Sequence, residues 1–106
     1  EVERKAMAPT ELMPEVDGTV TSTSFSHIFA GGYSAGYYSY KWSETLSADI
    51  YGAYTDLPAA KRKTFAKRYR NTILAKGGSA PAVEVFRELM GRDPDAKAIL
   101  RQEGLL

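Results

Sequence analysis

Hydrophobic side chains recur at helical spacing in the middle of the chain. Leu46, Ile50 and Tyr54 are separated by four residues each, Trp42 precedes them by one turn, and residues 33–54 contain no proline. This spacing places the apolar residues on one face of a helix. It predicts a long helix from about Tyr33 to Tyr54. Because that helix is apolar on most faces, we expect it to be buried.

Three further helices are predicted after it, each with a start signal and a glycine stop. The predicted starts are Asp56 with Leu57-Pro58, Ser79 with Pro81, and Asp93-Pro94; the predicted stops are Gly77-Gly78, Gly91 and Gly104. The predicted inner positions are Phe65, Tyr69 and Ile73, then Val83, Phe86, Leu89 and Met90, then Ile99 and Leu100. About four helices joined by short links indicate an all-α fold.

The amino-terminal residues have a different pattern. Residues 1–8 predict a short helix that ends at Pro9, and Pro14 and Gly18 mark a loop. The hydroxyl-rich run Thr19–Ser24 has no hairpin partner and is predicted to be an extended connection. We therefore divide the chain into residues 1–24, a short helix and loop, and residues 25–106, the helical segment.

Composition excludes several kinds of site. The 106 residues have the length of one domain, and 43% hydrophobic with 25% charged residues is typical of a globular chain. Cysteine is absent, which rules out disulfides, a thiol nucleophile and thiolate zinc ligands. His27 is the only histidine, so the two-histidine core of a typical catalytic zinc site cannot form, and a Ser-His-Asp triad would depend on this one residue.

The chain has no secretory or membrane-spanning signal. Residues 1–13 are charged and contain no apolar run, and no stretch approaches the roughly 20 apolar residues of a spanning helix. A formal net charge of +1 favours no class of charged partner. The expected location is the cytoplasm or an organelle matrix, without secretion and without a membrane partner.

Tyrosines are concentrated near a glycine pair. Tyr33, Tyr37 and Tyr40 are spaced four and three apart, so a helix would place them on one face. They are either core residues whose hydroxyls reach water or a row of hydrogen-bond donors for one ligand. A phenol can act as a donor because it stays protonated at neutral pH. His27 is likewise either a packing residue or a functional group. The pair Gly31-Gly32 permits a bend, a positive φ or close packing, but it is no phosphate loop.

Basic residues form a second feature. Half of the positive charge lies between Lys61 and Lys76, and no acid occurs between Asp56 and Glu84. This strip is either the solvated face of an amphipathic helix or a phosphate-binding surface. No aromatic residues for base stacking alternate with the charges, so the sequence favours the solvated face and indicates no nucleic-acid partner.

The run FSHIFAGGYSAGYYSYKW, residues 25–42, resembles the glycine- and tyrosine-rich segment of the thimet-type zinc oligopeptidases, which include oligopeptidase A and the bacterial peptidyl-dipeptidases. RNTILAKGG at residues 70–78, GRDP at residues 91–94 and the final GLL resemble the carboxyl-terminal end of that family. The likeness covers about residues 19–106. Residues 1–18 match nothing in the family pattern, and the link at residues 54–58 looks shortened.

The resemblance implies a carboxyl-terminal part of a larger α-helical metallopeptidase. The family's zinc is held by an H-E-x-x-H helix and a further glutamate, which this sequence lacks. The resemblance therefore implies zinc in the complete enzyme, with no metal ligand in this chain. It also implies short peptide substrates and, as a separate chain, the remaining amino-terminal part of the peptidase. This chain by itself is expected to be inactive.

The resemblance also implies individual roles. Tyr40 and Tyr33 match positions that donate hydrogen bonds to the developing oxyanion or the adjacent substrate backbone. His27 matches a catalytic histidine that positions substrate and supports the transition state. Tyr37 matches a tyrosine that contacts substrate. Gly31, Gly32 and Gly36 match a flexible, substrate-binding loop of the family that closes over the peptide.

Two functions from different classes follow. In the first, the chain is the substrate-cleft part of a zinc oligopeptidase. In the second, it is a non-catalytic structural or interaction subunit derived from one, because the metal motif is missing and an exposed apolar helix would form a partner surface. A zinc-bearing partner with peptidase activity distinguishes the first from the second.

Overall fold

A computed structural model describes all residues, 1–106, and contains helices and turns without any strand. Seven α-helices are present: α1 Val2–Met7, α2 Thr21–Ser24, α3 Ser26–Phe29, α4 Ser39–Asp56, α5 Ala59–Tyr69, α6 Ala82–Met90 and α7 Ala98–Gln102. The all-α prediction is confirmed. The four predicted helices correspond to α4 to α7, and α1 to α3 are short. No helix is both long and apolar enough to cross a membrane.

The chain forms two units, Glu1–Tyr38 and Ser39–Leu106. In the first, α1 ends at Met7 and a 3₁₀ turn, Ala8–Thr10, contains Pro9. The prediction of an extended connection over Thr19–Ser24 is wrong, because α2 forms there. Its backbone is supported by Glu3, whose carboxylate accepts hydrogen bonds from the backbone N–H and the Oγ of Ser22 at 3.0 and 2.6 Å.

In the second unit, α4 packs against α5 and α7, and α6 packs against the residues that follow α5. The buried apolar side chains are Ala48 of α4, Val85, Phe86 and Leu89 of α6, and Ala98 of α7. Of the large side chains, only Phe86 and Leu89 are fully buried. This core is small, and the expectation of a buried α4 is wrong. Leu46, Ile50 and Tyr54 are half-buried, and Trp42 is 56% exposed.

The helix that begins with α5 changes its hydrogen-bonding pattern before it ends. Residues Arg70–Leu74 form a π-helical segment, and helix resumes to Lys76. Thr72 is buried in this segment, and its Oγ1 donates to the carbonyl of Arg68 at 2.8 Å. π-helical turns inside α-helices are rare and frequent at functional sites.

The helix stops were predicted better than the starts. Gly77, Gly91 and Gly104 all have positive φ, at 50°, 72° and 71°, and each follows a helix. The predicted starts of α5 and α6 lie about two residues before the observed ones. Asp56 is the last residue of α4, and Pro58 precedes α5. Ser79 lies in a 3₁₀ turn, and Pro81 occupies the position before α6.

The predicted cap at Asp93-Pro94 is also wrong. The last helix begins at Ala98, and Asp95 is the acid near its start, where its Oδ1 accepts the backbone N–H of Lys97 at 2.9 Å. Asp93 instead pairs with Arg87 of α6. Asp93 therefore forms an ion pair in the folded chain instead of capping the last helix.

We expect Gly91→Ala to lower the free energy of unfolding by about 1–2 kcal/mol, because a side chain disfavours the left-handed conformation. Gly91 has φ 72°, and a Cβ there would meet nothing within 4 Å, so the cost is conformational. Urea unfolding of the two variants measures it. Gly78→Ala is the control, because Gly78 has the same open space without a positive φ. Equal stability of the two variants would contradict the prediction.

Candidate functional site

Four aromatic rings cluster in the first unit. The helical turn α3 carries His27, and Phe25 lies between α2 and α3. The His27 ring lies 5.8 Å from that of Tyr33 and 5.3 Å from that of Tyr37, measured between centroids, with both pairs edge to face. Phe25 packs edge to face on Tyr37 at 4.5 Å. Such pairs contribute roughly 0.5–1.5 kcal/mol each beyond their buried area.

A turn after the glycine pair brings the two tyrosines onto His27. The backbone N–H groups of Gly36 and Tyr37 both donate to the carbonyl of Tyr33 at 3.2 Å. Residues 31–38 form bends and turns rather than the predicted helix, which begins at Ser39. The predicted shared helical face of Tyr33, Tyr37 and Tyr40 is therefore wrong, although the structure does bring Tyr33 and Tyr37 together with His27.

The predicted site residues differ in their environment. Tyr33 and Tyr37 are each 39% exposed, and His27 is exposed as well, so these polar groups are accessible to a ligand. Tyr40 belongs to the second unit, lies in the first turn of α4 and is 48% exposed. Their assigned roles stay predictions, because ring packing is compatible with both structure and substrate binding.

The glycines near the cluster take ordinary backbone conformations. Gly31, Gly32 and Gly36 have no positive φ. A Cβ on Gly31 would make ordinary contacts at 3.8 Å to the carbonyl oxygen of His27 and 3.9 Å to the ring of Tyr33. One on Gly32 or Gly36 would meet nothing within 4 Å. Neither positive φ nor close packing explains these glycines, and a flexible loop stays a prediction.

An ion pair between a buried carboxylate and a partly exposed guanidinium joins α4 to the segment before α7. Asp49 is 4% exposed and accepts two hydrogen bonds from Arg92, at 2.5 and 2.8 Å, and one from the backbone N–H of Asp95 at 2.8 Å. The hydrogen bonds from Arg92 hold the pKa of Asp49 below its ordinary value, against the opposing effect of burial. Sequence analysis missed this pair. Its signal was a carboxylate, Asp49, placed between the apolar residues Ala48 and Ile50 of α4.

The basic strip has several internal partners. Arg62 donates to the carbonyls of Leu57 and Thr55 at 3.0 and 2.7 Å and lies over the ring of Tyr54. Arg68 donates to the carbonyl of Leu89 at 2.7 Å, and Lys76 pairs with Glu88. These hydrogen bonds and this ion pair join the basic strip to the preceding link and to α6. Part of the strip therefore stabilises the fold rather than forming a phosphate-binding surface.

The residues present do not fit a zinc site. Across residues 1–106, no group of three or more His, Cys, Asp or Glu side chains could hold a metal ion. The rings of Phe25, Tyr33 and Tyr37 lie 5.8, 5.8 and 5.3 Å from the His27 ring, measured between centroids. No catalytic step through a metal is therefore derived from this chain.

The comparisons with known proteins define the class to which this segment belongs. The sequence profile of Peptidase family M3 matches residues 1–105, so the chain belongs to this family. The match includes residues 1–18, which sequence analysis had left without a family counterpart; that interpretation is wrong. The local motifs quoted from residues 25–106 were therefore a part of a longer likeness.

Relatives in this family are oligopeptidases from plants and bacteria. The chain is 48% identical over 109 aligned residues to the probable cytosolic oligopeptidase A of Arabidopsis thaliana and 47% identical to the organellar, chloroplastic/mitochondrial oligopeptidase A of the same plant. Both matches cover all of this chain but only 16% and 14% of the relatives. Oligopeptidase A of Haemophilus influenzae is 45% identical over 91 residues, which are 86% of this chain and 13% of that protein. The chain thus spans about one seventh of their length.

Proposed function

We propose that this chain is part of the substrate cleft of a zinc metallo-oligopeptidase that hydrolyses short peptides. The observation that carries the proposal is the cluster of His27 with Tyr33 and Tyr37, exposed in a segment that belongs to Peptidase family M3. Zinc in the complete enzyme would supply Lewis-acid chemistry, which polarises a scissile carbonyl and activates water. Its ligands come from outside these 106 residues, and the chain by itself has no activity.

The residues of this chain bind and orient the peptide. Tyr33 and Tyr40 donate phenolic hydrogen bonds to the substrate backbone or to the oxyanion that develops on the carbonyl oxygen, which is where such donors lower a barrier most. His27 positions substrate and supports the transition state, and it packs against two tyrosine rings. Tyr37 contacts the peptide, while Gly31, Gly32 and Gly36 belong to a loop that closes over it.

The partners and location follow from the same proposal. The remaining part of the peptidase supplies the zinc site. The cytoplasm or an organelle matrix is the proposed compartment, in keeping with the cytosolic and organellar names of the two plant relatives.

A hybrid enzyme tests the proposal: this chain replaces the matching segment of the Arabidopsis thaliana cytosolic relative. We expect the hybrid to hydrolyse a quenched short peptide, and His27→Ala to lower its turnover roughly 10²-fold through misplaced substrate. Phe29→Ala is the control, because Phe29 lies on the same helical turn and is 73% exposed. A folded, zinc-loaded hybrid without hydrolysis would contradict the proposal.

A non-catalytic interaction subunit is the second candidate. The observation in its favour is that large aromatic side chains of α4 are exposed, Trp42 at 56% and Tyr51 at 62%. It requires stable assembly with a larger protein and no peptidase activity in the complex. Native mass spectrometry with the zinc content resolved, followed by a peptide hydrolysis assay, distinguishes the two candidates.

A further inference from the structure

An apolar groove of about 530 Å³ crosses the second unit. It is bordered by α4, α5, the π-helical segment and α6, and Phe86 of the core lies within it. Six of its lining side chains are large, apolar or aromatic, and only half-buried: Leu46, Ile50, Tyr54, Phe65, Tyr69 and Ile73. These are the inner positions predicted from sequence for α4 and α5. They point to a core whose cover is missing from this chain.

Exposed cations without an ion-pair partner lie on α5 and its continuation, beside the face that lines the groove. Lys63, Lys67 and Arg70 follow one another at intervals of four and three residues and are exposed, and none forms an ion pair within residues 1–106. Ala66, which lines the groove, lies one helical turn from both Lys63 and Arg70. An occupant of the groove would therefore meet apolar side chains in the centre and positive charge on the α5 side.

The length of the related proteins indicates what occupies the groove. This chain accounts for only 16% and 14% of its two plant relatives, so most of the family's fold lies outside these residues. We propose that the groove is the surface on which the remaining part of the peptidase docks, through an apolar segment flanked by Asp or Glu side chains. This inference rests on the proposed function only in requiring that remaining part, and it makes no use of the catalytic roles.

Hydroxyl-radical footprinting of the 106-residue chain and of the hybrid enzyme tests the docking surface. Tyr51 lines the groove and is 62% exposed, so it is oxidised readily in the chain alone. We expect its oxidation, and that of Tyr69, to fall at least several-fold in the hybrid. Equal oxidation in both proteins would overturn the proposal.

Two substitutions on α5 make the test specific. Ala66 lines the groove and Ala60 does not, and both side chains are exposed. We expect Ala66→Glu to lower the unfolding midpoint of the hybrid by several degrees and Ala60→Glu to leave it unchanged, because only the first places a charge in a covered apolar surface. In the chain alone, neither variant should change the melting curve. Equal unfolding midpoints for the Ala66→Glu and Ala60→Glu hybrids would contradict the inference.

Charge reversal tests the chemistry of the partner. Lys63→Glu with Arg70→Glu should lower the midpoint of the hybrid, by an amount that decreases as salt is raised. Lys97→Glu, at an exposed position in front of α7, is the control. No difference from the control would overturn the acidic flank of the occupant.

Two other outcomes have a definite meaning. A dimer of the 106-residue chain that Ala66→Glu abolishes would make a second copy the occupant and overturn the proposal. A hybrid that fails to hydrolyse peptide but still shows the protected Tyr51 would refute the proposed function and leave the docking surface supported.

Discussion

Replacing Tyr40 with Phe in the hybrid enzyme is expected to lower turnover roughly 10²–10³-fold, the loss seen when one oxyanion donor is removed. The substitution deletes only the phenolic hydroxyl and keeps the ring. Tyr40 lies in the first turn of α4 and is 48% exposed, so the change should leave the fold intact. A donor that acts on the developing oxyanion stabilises the transition state more than bound substrate.

Steady-state kinetics with a short peptide separate this role from simple binding. The expected result is a large decrease in kcat with little change in KM. Tyr38→Phe is the control, since Tyr38 is 72% exposed and has no assigned role. An increase in KM with unchanged kcat would make Tyr40 a substrate contact, and unchanged kinetics would remove it from the site.

Arg92→Ala is expected to cost about 3 kcal/mol of unfolding free energy, because it leaves the Asp49 carboxylate buried without its cation. The value is placed at the low end for buried pairs because the Arg92 side chain is 46% exposed. Asp49→Asn should cost less, since it removes the charge together with the need for a partner. Urea unfolding followed by circular dichroism measures both.

The exposed pair of Arg101 with Asp95 provides the control for this prediction. Arg101→Ala should change stability little, because water screens that pair. If Arg92→Ala and Arg101→Ala unfold at the same urea concentration, the Asp49 pair does not stabilise the fold.

The same pair predicts how stability depends on pH. The pKa of Asp49 is lowered in the folded state, chiefly by the hydrogen bonds from Arg92. A group with a lowered pKa contributes its full stability above its unfolded pKa, near 3.9, and loses it as pH falls through the folded value. Asp49→Asn should therefore flatten the loss of stability below about pH 4.

Local rules determined much of the fold because helix periodicity and helix stops depend on neighbours along the chain. The apolar spacings of α4 to α6 identified these helices, and Gly77, Gly91 and Gly104 marked their ends correctly. Helix starts were harder to predict. Asp93 could serve as a cap or as an ion-pair partner, and its contact with Arg87, which forms only on folding, decided between them.

The candidate site was only partly predictable. The tyrosines and His27 were identified by residue type and by the family resemblance, but their arrangement was not. A four-residue spacing predicted a helix through Tyr33 and Tyr37, whereas a turn brings those rings together. Phe25, which packs on Tyr37 at 4.5 Å, had no local signal because its partner is twelve residues away.

By itself the sequence determined the helical class, the membership in a peptidase family and the absence of cysteine and of an H-E-x-x-H motif, since these depend on residue types and short spacings. Only the tertiary structure decided which faces stay open and which charges pair. Asp49 and Arg92 are 43 residues apart, and their contact exists only because α4 and α7 pack together. The groove beside α5 was also decided by the tertiary structure. An apolar stripe in the sequence shows which face of a helix should be buried, but only the packing shows whether another element covers that face.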